Sequence, residues 1–349
     1  MRTLPFRKSR VVLVGLACIA MLGVPVPSEA GLKIILTPEG GTAGTPPGNL
    51  VGGGNLTTIV QQAAAYWEQI FSDPNQPWTL QLTYGWGIVG SDNLAGQFTV
   101  ATAGGSPNRI LSGKINFDDT GITPWFADPN PGSNSAYATV TPRNDLVSVP
   151  SAPGGVTSIN NGIWFENPVN RNAVGRADLL TIVMHEIGHG LGLLNAPPIF
   201  VGPFDFEISS AVSRKYAGLH VFLDSIGLFE HWAEPSLMMP KYALSIRQFP
   251  AVLDILTIAE INKYDNPDWY PSLGIIVNGL NVPPGNKHSM LAKLANSRAR
   301  LQSGNSTAAR NVLKAFINEI KANPGGRLTA AQVESLVSIA ETAIAGIRE

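Results

Sequence analysis

The chain has 349 residues, 44% of them hydrophobic and only 14% charged, with a formal net charge of −1. That balance gives no reason to expect nucleic acid or an anionic membrane surface as a partner. A single cysteine excludes a disulfide framework within the chain.

The N-terminus predicts export. Arg2, Arg7, Lys8 and Arg10 precede an apolar core from Val11 to Val24, of signal-peptide length and short for a bilayer span. Ser28 and Ala30 then supply small residues for cleavage after Ala30. The expected product is a secreted chain starting near Gly31, with no stable membrane insertion. Loss of residues 1–30 removes four basic residues and one acidic residue, taking the formal charge from −1 to −4. It also removes Cys18, so the mature fold must rest on its core and any bound metal.

From residue 31 the pattern is mixed. Leu32 to Thr37 reads as a strand. Thr57 to Phe71 has Ile59, Val60, Ala63, Ala64, Trp67 and Ile70 at helical spacing. Trp78 to Gly87 alternates as a strand, and Ala95–Ala103 and Arg109–Phe117 suggest two more. Asp118, Asp119, Asp128 and Asn130 surround an aromatic turn. Such carboxylates could bind Ca²⁺, but no spacing approaches an EF-hand loop, and solvated turn residues are the plainer reading. Ala127–Ser151 and Asn167–Arg176 read as polar loops. Asp178 stands where a helix would begin.

That helix carries the chemistry. His185-Glu186-Ile187-Gly188-His189 sets two imidazoles four residues apart, one turn of helix, on one face. Both can ligate one Zn²⁺, and Glu186 beside it can move a proton to and from the attacking water. Leu180, Ile182, Val183 and Met184 make the approach apolar, and Gly188, Gly190 and Gly192 place the helix end near Gly192. A core helix that buried this motif without metal would carry a large desolvation cost.

A catalytic zinc needs a third protein ligand. Asn195 is a poor candidate, since a neutral amide oxygen is a weak ligand. His220, His231 and His288 remain, of which His220 has no partner motif and His288 falls in a different module. The stretch from His231-Trp232 to Leu237-Met238-Met239-Pro240 resembles the metzincin zinc peptidases, most closely the leishmanolysin-like branch and its secreted bacterial relatives. There an insertion follows the glycine turn, and the third histidine precedes a methionine turn. The resemblance covers roughly residues 31–270. It implies His185, His189 and His231 as metal ligands, Glu186 as general base and Met238 as the methionine beneath the metal. It also implies a helix within Pro250–Tyr264, on which Asp254 and Glu260 would face solvent or cap. Tyr242 could assist the oxyanion, although a packing tyrosine is the simpler reading.

Asn266–Gly285 is rich in proline and reads as a linker. Three helical patterns follow, His288–Gln302, Ser306–Asn323 and Thr329–Ile347, broken by Gly304-Asn305 and Pro324-Gly325-Gly326. They resemble small helical domains appended to bacterial secreted hydrolases. The expected organisation is a signal peptide (1–30), an α+β catalytic domain (31–268) of metzincin-like zincin fold, a linker (269–285) and a three-helix accessory domain (286–349). The expected function is a secreted zinc endopeptidase acting on proteins or peptides. The competing expectation is an inactive adhesion or matrix-binding protein on the same fold, which would have no need of Glu186.

Overall fold

The computed structural model describes residues 31–41, 43–90, 94–150, 152–194, 205–222, 236–239, 241–323 and 326–348. The expected signal peptide, Asn195 and His231 lie outside the described residues. The chain is α+β. Strand β1 (Leu32–Pro38) leads to helix α1 (Leu56–Ile70), then β2 (Trp78–Gly87), β3 (Gly96–Gly104) and β4 (Arg109–Asp118). These strands form one sheet in the order β1-β2-β4-β3. β1, β2 and β4 are parallel, whereas β3 is antiparallel and lies at the edge. Asn55 caps α1 by accepting from the Thr58 N–H. The expected stripe from Ile59 to Ile70 is the buried face of α1.

β5 (Trp125–Phe126) comes next, then a hairpin of β6 (Tyr137–Ser148) and β7 (Val156–Pro168). β8 (Ala177–Asp178) pairs with β5 in parallel and runs straight into helix α2 (Leu179–Gly190). The hairpin corrects the expectation of a polar loop over Ala127–Ser151. β6 is an edge strand in the order β11-β7-β6, and its Pro142 is tolerated there because an edge strand leaves one side without ladder bonds. With Arg143, Asn144 and Asp145 in the same strand, the alternation that marks a half-buried strand is lost.

After α2, β9 (Asp205–Glu207) and β10 (His220–Phe222) make a short antiparallel pair. β11 (Arg247–Phe249) joins β7, and helix α3 (Val252–Ile261) follows at once. The stretch 269–285, expected as a linker, instead contains helix α4 (Tyr270–Gly279). Pro271 lies in its first turn, where a missing N–H costs no helical bond. A Cβ at Gly279 would lie 2.5 Å from the Phe165 ring and 2.7 Å from Val140, so glycine lets α4 rest directly on the hairpin.

Helices α5 (Pro284–Gln302), α6 (Ser306–Ala322) and α7 (Ala330–Gly346) complete the chain. Thr329 and Gln332 cap the start of α7 reciprocally. α7 packs on β6 and β7, and one continuous buried cluster runs from Leu32 to Ile347. Among the described residues no helix is long and apolar enough to cross a membrane.

Candidate metal centre

α2 is fixed at both ends. Asp178 is its N-cap, and its Oδ2 accepts from the backbone N–H and the hydroxyl of Thr181 at 3.1 and 2.9 Å. The same carboxylate receives the fully buried Arg247 of β11, through Nε at 3.1 Å and Nη2 at 2.9 Å. Arg247 Nη2 also donates to Asp128 Oδ2 at 2.8 Å, and Nη1 to the Ser133 carbonyl at 2.8 Å. Burial opposes the charge on Arg247, but Asp178, Tyr137 and Asp128 outweigh it and hold its pKa above the ordinary value. At the far end Asn262 donates to the Leu191 carbonyl at 2.6 Å. The helix ends at Gly190, and Gly192 turns the chain with φ +110°. From the side, Trp67 of α1 donates its indole N–H to the Met184 carbonyl at 3.1 Å.

The carboxylates weighed for Ca²⁺ have other partners. Asp118 accepts from the Thr120 N–H and hydroxyl and from the Thr123 N–H, closing its own turn. Asp128 accepts from Arg247 and from the Asn130 N–H, and Asp119 is exposed.

The two histidines are oriented by backbone. His185 Nδ1 lies 2.8 Å from the Leu237 carbonyl, and His189 Nδ1 lies 2.6 Å from the Leu193 carbonyl. A carbonyl only accepts, so both Nδ1 atoms carry the proton and both Nε2 atoms present lone pairs. Those Nε2 atoms face each other at 3.0 Å. Two lone pairs at that distance repel unless a cation or a shared proton lies between them. Two donors about 2.0–2.1 Å from one tetrahedral ion lie roughly 3.3 Å apart, so this pair fits a single zinc. Burial also lowers the pKa of His185, against a smaller opposing effect of its bond to Leu237. The neutral imidazole, the form that ligates, is thereby favoured.

Glu186 is 5% exposed and lies against the first residue of the edge strand. A Cβ on Gly96 would stand 2.7 Å from Glu186 Oε1, so the carboxylate occupies the space that a side chain at 96 would fill. Met238 is fully buried below α2, and a Cβ on Gly188 would meet its sulfur at 2.4 Å. Glycine at 188 therefore lets the methionine sit directly beneath the helical turn that carries His185 and His189. Tyr242 is partly buried and packs against the core.

Among the described residues no group of three or more His, Cys, Asp or Glu side chains gathers to hold an ion. His220, exposed on β10, therefore does not join His185 and His189. The expected third ligand, His231, lies outside the described residues.

Asp254 corrects one expectation. It does cap α3, accepting from the Ala251 N–H at 2.8 Å, but it is fully buried rather than facing solvent. Its other bonds come from the turn ahead of β11, from the Leu237 N–H at 3.3 Å and the Met238 N–H at 3.2 Å. Burial pushes its pKa up to about 6, although these N–H groups pull the other way. A sequence signal existed, since Asp254 sits in Val252-Leu253-Asp254-Ile255-Leu256 with apolar neighbours on all sides of the helix. Glu260, also buried, accepts from the Ser209 N–H at 2.8 Å and so ties α3 to the segment after β9. No family model, no curated protein and no solved structure matches the chain.

Proposed function

We propose that the protein is a secreted zinc-dependent endopeptidase of the metzincin type, related to the leishmanolysin-like branch. The observation that carries this reading is the pair of facing Nε2 atoms, each on an imidazole whose Nδ1 is committed to a backbone carbonyl, with Glu186 between them in sequence. His185 and His189 would hold the ion, with His231 as the third ligand. Zinc bound there supplies Lewis acidity toward the scissile carbonyl and the attacking water.

The chain's own groups do the rest. Glu186 takes a proton from the water on a carboxylate oxygen and delivers it to the leaving amine. Its position against Gly96 keeps that carboxylate beside the edge strand. β3 has a ladder partner on one side only, so an extended peptide could pair with its other edge and lie next to the strand that rests on Glu186. Met238 supports the helical turn from below, and the Leu237 and Leu193 carbonyls keep both rings in the ligating tautomer.

The test combines metal content with peptide cleavage. Purified protein should contain one zinc and cleave members of a mixed peptide library, and a chelator should abolish cleavage. Glu186→Gln should keep the zinc and lose turnover by about two or more orders of magnitude, the scale of a lost general base. Wild-type turnover in that variant would end the mechanism. Zinc binding without any cleavage by the wild type would favour the matrix-binding alternative.

A further inference from the structure

We propose that Asp254 is a positioning residue for the metal site, acting on His185 through the Leu237–Met238 peptide group. The importance of the effect rests on the zinc reading above, but the geometry stands apart from it. His185 is oriented by a backbone carbonyl, and a carbonyl has no side chain of its own to hold it. Something else must fix the plane of that peptide.

The plane is held at both edges. Leu237 C=O and Met238 N–H belong to one peptide unit, and in a trans peptide they point in opposite directions within one plane. The N–H donates to Asp254 Oδ1 at 3.2 Å, and the C=O accepts from His185 Nδ1 at 2.8 Å. Fixing one edge against a carboxylate aims the other at the imidazole. The preceding N–H, that of Leu237, donates to Asp254 Oδ2 at 3.3 Å, so two successive amides of the turn converge on one side chain. That side chain is anchored in turn, because Oδ2 also accepts from Ala251 N–H at the start of α3.

Charge travels along the same line. A carboxylate accepting from an amide polarises the peptide and makes its carbonyl a stronger acceptor. A stronger acceptor at Nδ1 makes Nε2 a better donor to a metal, as it does when a carboxylate contacts the histidine directly. Here a peptide group is interposed between the carboxylate and the ring. The sequence hides this relation, since Asp254 lies 16 residues beyond Met238 and 69 beyond His185.

The test reads the ring first and the metal second. Full-length protein labelled with ¹⁵N-histidine is compared with Asp254→Asn, Asp254→Ala and Leu336→Ala. Leu336 is buried in α7, so its variant loses stability without touching the turn. In metal-free wild type and in Leu336→Ala, nitrogen shifts should show His185 fixed as the Nδ1–H tautomer. Asp254→Ala should lose that fixed tautomer, and Asp254→Asn, which keeps one acceptor oxygen, should be intermediate. By chelator competition the zinc dissociation constant should rise about tenfold in Asp254→Ala, the lower end of the range for partners outside the ligand set. If Asp254→Ala does not fold, the Asn variant alone carries the comparison. An unchanged His185 tautomer in the folded Asp254 variants overturns the proposal. A tautomer that responds in a wild type unable to bind zinc would sustain it and reject the zinc reading instead.

Discussion

Two buried polar regions of this molecule are built from different materials. Around α2 they are ionic: Arg247 lies between Asp178 and Asp128, and Asp254 lies under the Leu237–Met238 turn, all essentially out of solvent. Where α7 meets the β6–β7 hairpin they are neutral. Gln332 donates to the Val140 carbonyl at 2.9 Å, Ser335 to Asn144 Oδ1 at 2.6 Å, and Ser338 to the Ser158 carbonyl at 3.0 Å. One charge enters this seam: Lys215, with its side chain 13% exposed, reaches the Ser338 carbonyl at 2.8 Å, but its partner Glu341 is half exposed, so the pair stays open to solvent on one side. A buried ion pair is costly to assemble and more costly to break, so it tolerates one arrangement. A neutral hydroxyl contact contributes about 1 kcal/mol, and its loss strands no charge. Ion pairs enforce the geometry around the two histidines, whereas the seam between α7 and the hairpin is held by apolar packing and neutral hydrogen bonds.

The strongest way to break the comparison is to remove the central cation. Arg247→Ala would leave Asp178 and Asp128 buried without their counter-charge, and should cost about 3–5 kcal/mol. It should also loosen the start of α2, since Asp178 is both the cap and the partner. Urea unfolding of the metal-free protein would measure the first effect, and hydrogen exchange at Leu179–Ile182 the second. A loss no greater than that of a single hydroxyl contact at α7 would mean that the ionic and neutral regions are energetically alike.

Parts of this arrangement were legible in sequence, for identifiable reasons. His185 and His189 share one helix, and four-residue spacing places them on one face whatever the tertiary fold. The stripes of α1 and of α5–α7 follow from the helical period, and β2 from its alternation. The partners of Arg247 were not legible, because Asp178 is 69 residues before it and Asp128 is 119 before it. No local pattern encodes such a pairing. The β6–β7 hairpin was missed because an edge strand can carry Pro142 and a polar run. The proline-rich stretch that reads as a linker hides α4, because proline marks a loop and also suits the first turn of a helix, where Pro271 stands.

Acidity sharpens the comparison at Asp254. Its folded pKa of about 6 lies above the ordinary 3.8 of the unfolded chain. The folded protein therefore holds the proton more tightly, and this group's contribution to stability is full below about pH 4. It falls as pH rises through 6 and is flat above about 7. A shift of this size corresponds to something on the order of 2–3 kcal/mol. The metal-free wild type should lose stability relative to Asp254→Asn across that window. The measurement is the difference in urea midpoints between the two proteins from pH 4 to 7.5, in which other titrating groups cancel. A difference independent of pH would mean that Asp254 is not held as a costly buried charge. A falling difference, together with weaker zinc binding by the variant, would show ionisation maintained for the site at the expense of the fold.

The smallest expected effect tests whether the two regions are separate at all. Ser335 contacts both Asn144 and Asn160, the latter through Asn160 Nδ2 at 3.3 Å. Its loss leaves Asn160 Nδ2 bonded to the Arg143 and Gly162 carbonyls, each at 2.9 Å, and leaves the Asn144 amide on the Ala331 carbonyl. Ser335→Ala should therefore cost only about 1 kcal/mol. Zinc affinity and the His185 tautomer should not change. One contact joins the two regions: Asn160 Oδ1 also accepts from the Val252 N–H at 3.5 Å, at the start of the helix that carries Asp254. That bond is long and weak. It gives a hydrogen-bonded route from Ser335 of α7, through Asn160, to the first residue of the helix that carries Asp254. A rise in the zinc dissociation constant of Ser335→Ala, with no change in Leu336→Ala, would show the coupling and dissolve the contrast between an ion-paired site and a neutral seam. Equal zinc binding in both variants would keep the two regions apart.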